Sequence, residues 1–183
     1  MTTTEEPTMT PEPWIEEGRG LSTRVSGKLL VHCFVTMFLG FIGGFVWLIA
    51  LADEVLHLFP LPEFEINVPD SDDQKELLRN AHTGPIMNSV YVMVMVALSP
   101  RLFFSARQAK WLYYSAIIML WGNTIGYSTA VWAPERGLQP TLEWPNIVSY
   151  FTFYIAVVGA VITTGICLKG ALTAAKGAGD DTA

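Results

Sequence analysis

Four apolar stretches, at roughly 29–51, 84–104, 111–132 and 146–169, are each long enough to cross the ~30 Å core of a bilayer at ~1.5 Å per residue. In lipid, every backbone polar group must be satisfied within its own segment, so such a chain is expected to fold as an all-α membrane protein, a bundle of four transmembrane helices. Composition agrees: 51% of the 183 residues are hydrophobic and mean hydropathy is +0.36.

The first stretch follows a polar segment, MTTTEEPTMTPEPWIEEGRG, and lacks the short apolar core and small-residue cleavage site of a signal peptide. Residues 1–27 are therefore read as a disordered acidic tail, 28–176 as the four-span domain and 177–183 as a short polar tail. Four spans put both termini on one side. That side holds Arg19, Arg24, Lys28, Arg101, Arg107, Lys110, Lys169 and Lys176, against Lys75, Arg79 and Arg136 on the other. The asymmetry predicts cytoplasmic termini and, for a bacterial chain, an inner-membrane location. The acidic surplus, a net charge of −6, falls largely on the outer loops, and no basic cluster suits nucleic acid.

Cys33 and Cys167 lie near the cytoplasmic ends of their spans, where thiols stay reduced, so no disulfide framework is expected. The sequence contains no nucleotide-binding loop, zinc-protease helix, hydrolase nucleophile elbow or Cys-x-x-Cys-His motif.

What remains is polar chemistry within the apolar stretches. His82 stands at the mouth of the second, in AHTGPIMN, three residues before a proline that cannot donate to the Ala81 carbonyl. A kink or a fresh helix start is expected there, as at many sites lined by irregular membrane backbone. Asn88 follows six residues on, about 9 Å along the axis and well round the helix, so the two address one cavity only if a kink or a large ligand joins them. LWGNTIGYSTAVW places Asn123 and Tyr127 on one face at i and i+4. Topology brings these four residues to one level of the bilayer.

Each has a second reading. A histidine at the end of a span often bonds to a loop, and Asn or Tyr in a span often bonds to a neighbouring helix. His32 and His57 read as interfacial residues, and the methionines of VYVMVMV as packing.

AHTGPIMN, then WGNTIGY, then PERGL, at this spacing and in a four-span setting, resembles the styrene oxide isomerases, small membrane enzymes of bacterial styrene catabolism. The resemblance runs from about Lys28 to Lys176 and is densest between Ala81 and Leu138. It implies a homotrimer holding ferric haem b at its subunit interfaces, with His82 as axial ligand and the opposite axial position open. The implied reaction turns an aryl epoxide, styrene oxide, into an aldehyde, phenylacetaldehyde, by a 1,2-hydride shift, with ferric iron as Lewis acid. Asn88 and Tyr127 match the family's substrate-contacting positions. Asn123 is given a supporting place at the cofactor site, with a bond to a neighbouring helix as its alternative. Trp121, Tyr91 and Phe104 are candidates to flank ring or porphyrin, and Arg79 and Arg136 to hold propionates. Two rivals stay open: a non-enzymatic b-type haem protein in which a second ligand such as His57 faces His82, and a haem-free membrane scaffold.

Overall fold

The apolar stretches form four helices among the described residues: α1 (Thr23–Leu51), α2 (Asp72–Leu98), α3 (Ala106–Ala130) and α4 (Trp144–Asp180). The structure is a computed structural model describing residues 14–15, 20–51, 55–56, 64–65 and 71–180. Besides the helices it contains a 3-10 turn, Ser99–Arg101, and a two-residue antiparallel ladder pairing β1 (Val55–Leu56) with β2 (Phe64–Glu65). His57, and most of the segments on either side of this ladder, lie outside the described residues.

By length and composition, α1, α2 with its 3-10 extension, and α4 can each cross a bilayer. Although α3 is 25 residues long, its Trp, Tyr, Ser, Asn and Thr side chains are spread so that no 18-residue window in it is as apolar as the best windows of the other three.

The second helix starts well before the apolar stretch. Ser71 caps it, accepting the Gln74 N–H at 3.3 Å, and Asp72 and Asp73 place negative charge against the positive end of the helix dipole. Hydropathy marks only what lies in lipid, so His82, at the mouth of the apolar stretch, is the eleventh of the 27 residues of α2. Pro85 neither breaks the helix nor begins a new one. The Ala81 carbonyl, which loses its donor at Pro85, faces α1, where a Cβ on Gly43 would stand 3.0 Å from its oxygen. A bare glycine lets the two helices meet at the point where α2 is short of a hydrogen bond.

At the other end α2 stops at Leu98, so Phe104 falls outside it, in the loop before α3. A complete capping box of Ser105 and Gln108 starts α3. The tail boundary also moves: α1 begins at Thr23, Leu21 and Ser22 are buried, and the Trp14 ring lies 5.7 Å from that of Tyr113. An indole among polar residues has apolar area to bury, and the α3 aromatics supply the surface.

The helices associate chiefly as α1 with α2 and α3 with α4. In lipid this needs close packing and polar bonds, because the hydrophobic effect does not distinguish a neighbouring helix from an acyl chain. Both devices are present. Gly40 and Gly43 face α2, and Gly122 and Gly159 lie at the α3–α4 contact. Hydroxyl pairs bridge Thr36 to Ser89, Ser115 to Thr163 and Thr129 to Ser149 at 2.7–2.8 Å. Leu29, Cys33, Val92, Leu112, Ala116 and Leu120 fill the core at the end that carries both termini.

Candidate functional site

His82 faces α1. Its Nδ1 lies 3.0 Å from the carbonyl oxygen of Gly40, and its ring stacks on Trp47 at 6.2 Å with Phe41 at 6.5 Å on another side. A carbonyl can only accept, so Nδ1 carries the proton and the lone pair of the neutral ring is on Nε2. The floor of this slot is Gly44, whose Cβ, if present, would fall 2.7 Å from the imidazole Cε1. Gly40-x-x-x-Gly44 thus supplies the acceptor and the space. This small-residue spacing is legible in LGFIGGF, and sequence reasoning passed over it.

Tyr127 approaches α2 from the other side, its ring against Gly84, where a Cβ would lie 3.0 Å from the phenol Cζ. Gly84 is about 200° round the helix from His82, whereas Asn88 is only about 40° from Gly84 and one turn further along. Asn88 and Tyr127 therefore share the α3-facing side of α2, and His82 does not. Asn123 lies one turn below Tyr127 on α3, at the level of Asn88 because the two helices run antiparallel. Asn123 and Tyr127 share one cavity, Asn88 lies on the α3-facing side of α2, and His82 occupies a separate slot on the same helix.

Asn123 and Tyr127 line a cavity of about 430 Å³ between α3 and α4, with Leu138, Phe153, Tyr154 and Val157 among its walls. Among the described residues, the side chains of Asn88, Asn123 and Tyr127 have no hydrogen-bond partner. Polar groups left open at membrane depth are costly unless a ligand or a further chain meets them.

The Pro-Glu-Arg-Gly-Leu turn closes the outer end of this cavity. Arg136 and Gly137 adopt φ values of 53° and 69°, a left-handed pair that a non-glycine residue takes only when held. Here Arg136 is paired with Asp73 at the start of α2, and the Gly137 N–H donates to the buried Asn146 side chain at 2.9 Å. The bond to Asp73, and then its charge, raise the Arg136 pKa further above its ordinary value.

The other candidates have structural partners. Trp121 Nε1–H donates to Nδ1 of His32 at 3.1 Å, binding α3 to α1. The Tyr91 hydroxyl meets that of Thr164 at 2.8 Å, joining α2 to α4. Phe104 is buried against Gly170, Met95 lies in the core with Met93 packed beside it, and Arg79 pairs with Glu76 at 3.4 Å on the exposed side of α2. Cys33 and Cys167 are free thiols.

Among the described residues no three His, Cys, Asp or Glu side chains converge. One imidazole with an oriented proton and a lone pair left on Nε2, flanked by two aromatic rings, is a donor set compatible with a metal that a macrocycle already holds, as in haem with one proximal histidine. The residues present fit that group.

A family model described as styrene oxide isomerase matches residues 25–172, from the first turn of α1 into the last third of α4. No curated protein matches the chain. The match covers well over half of the sequence and all three motif blocks.

Proposed function

We propose that the chain, which belongs to the styrene oxide isomerase family, isomerises aryl epoxides such as styrene oxide to aldehydes such as phenylacetaldehyde, with ferric haem b held through Nε2 of His82. The observation that carries this reading is the His82 slot, where the Gly40 carbonyl fixes the ring and leaves one nitrogen to give. Bound haem would supply a Lewis acid for the epoxide oxygen.

The chain's own groups do the rest. The Tyr127 hydroxyl and Asn88 amide donate to the epoxide oxygen and stabilise the negative charge it gains as the benzylic C–O bond opens. Asn123, one turn away, supports the same oxygen. Apolar walls keep water from the developing cation, so hydride from the neighbouring carbon reaches it and the carbonyl forms. No base or nucleophile is needed, and electrons are conserved within the substrate.

The placement of His82 and Tyr127 on different sides of α2 supports a site shared between copies, in a homotrimer with haem at the subunit interfaces. In this reading α3 is the fourth span, packed inside the bundle where its polar side chains are tolerated. Eight basic residues on the terminal side against three on the other support cytoplasmic termini in a bacterial inner membrane.

The test is to supply purified protein with styrene oxide and no reductant, flavin or nicotinamide, and to record its visible spectrum. Phenylacetaldehyde formed by a protein with a Soret band is expected. A six-coordinate spectrum unresponsive to small ligands, with no aldehyde, would favour electron transfer, and a chain with neither Soret band nor activity would be a scaffold.

A further inference from the structure

We infer that the cavity between α3 and α4 receives the aromatic ring of the substrate, with Phe153, Tyr154 and Val157 deciding which rings fit. The inference rests on the epoxide-isomerase reading and adds a ring site and its determinants to it. Phe153 stands edge-on to Tyr127, with ring centroids 4.9 Å apart, and a Cβ on Gly126 would fall 2.7 Å from it, so its plane is fixed from two sides. Tyr154 and Val157 form the wall on the lipid side. They are 65% and 61% exposed, so the cavity is open sideways to the apolar surface.

Its chemistry selects the occupant. The walls are aromatic and aliphatic, and aromatic edges and faces favour a flat ring in offset or edge-on contact. The lining carries one amide, Asn123, and three tyrosines, Tyr127, Tyr150 and Tyr154; of these, Asn123 and Tyr127 lie on α3 beside one another, neither with a hydrogen-bond partner among the described residues. A lipid tail would satisfy the walls and leave both polar groups open. An arene carrying a single acceptor oxygen satisfies both, and about 430 Å³ lies in the range of small-molecule sites. A substrate that partitions into lipid would reach the site without crossing water, ring first against α4 and oxygen toward Tyr127.

The test uses the haem-loaded protein in lipid and a styrene bearing a trifluoromethyl-diazirine at the para position. On irradiation, label is expected between Gly137 and Val157, and excess styrene should protect that segment. In Val157→Trp, whose new side chain projects into the cavity from an exposed position, KM for styrene oxide should rise roughly tenfold or more while kcat stays within about threefold and the Soret band is retained. Styrene-protected label elsewhere, label that styrene does not displace, or no label would overturn the inference. So would an unchanged KM, or loss of the Soret band in Val157→Trp, which would make the cavity the porphyrin's. If the unmodified protein forms no aldehyde yet shows protected label in this segment, the isomerase reading falls and the ring site stands.

Discussion

The imidazole of His82 and the carbonyl of Gly40 meet at 3.0 Å across the contact of α1 and α2, in a slot that exists because Gly44 has no side chain. The bond sets the tautomer and the aim of the ring together. In the proposed function this leaves Nε2 as the nitrogen that would ligate iron, its ring held as hydrogen-bonded partners hold metal-binding histidines elsewhere.

His82→Ala is expected to abolish or greatly weaken haem binding while the helices still insert, because insertion depends on apolar length and not on a ligand. Soret absorbance and far-ultraviolet circular dichroism of the purified variant measure the two separately. Full haem retention would remove His82 as ligand.

Gly44→Ala should act through His82 without touching haem itself. The added methyl overlaps the imidazole, so the ring must turn away from Gly40, and haem affinity should fall roughly 10–100-fold. Gly27→Ala, where no atom lies within 4 Å of the new Cβ, is the matched control and should leave a haem titration unchanged.

Tyr127→Phe and Asn88→Ala should keep haem and lose turnover by roughly 10²–10³-fold each, the usual cost of one donor to a developing oxyanion. If initial rates with styrene oxide are unchanged in both, these residues only pack.

Thr36→Val removes one side of the buried hydroxyl pair with Ser89, leaving Ser89 its bond to the Pro85 carbonyl at 2.7 Å. The loss should be about 0.6 kcal/mol, in the usual range for polar bonds between membrane helices. Denaturant unfolding in detergent reads it, with isomerase activity per folded molecule unaltered.

Apolar length located all four helices in the sequence, and the polar residues within those stretches singled out His82, Asn88, Asn123 and Tyr127 as candidates independently of any resemblance. What the sequence hid follows from two blind spots. Hydropathy does not see a helix leaving the lipid, so the Ser71 cap and the charged first turns of α2 went unread, and with them the position of His82 within the helix. Proline was weighed by the bond it removes and not by the neighbour that can close over the gap, here Gly43. Side-chain direction was legible as well: six helical residues rotate Asn88 about 240° from His82, which separates them in one chain. The walls at Phe153 and Tyr154 had no signal beyond aromatic content.

The central claim is intramolecular epoxide isomerisation governed by the ferric state, and the most direct measurement is turnover of styrene oxide deuterated at its terminal carbon, by oxidised and by dithionite-reduced protein, read by mass spectrometry. Developing negative charge on oxygen favours a ferric over a ferrous centre. The account predicts phenylacetaldehyde that retains both deuterium atoms, one of them moved to the benzylic carbon, with the rate falling sharply on reduction and recovering on reoxidation. Equal rates in the two states, loss of the migrating deuterium to solvent, or a diol product would contradict it.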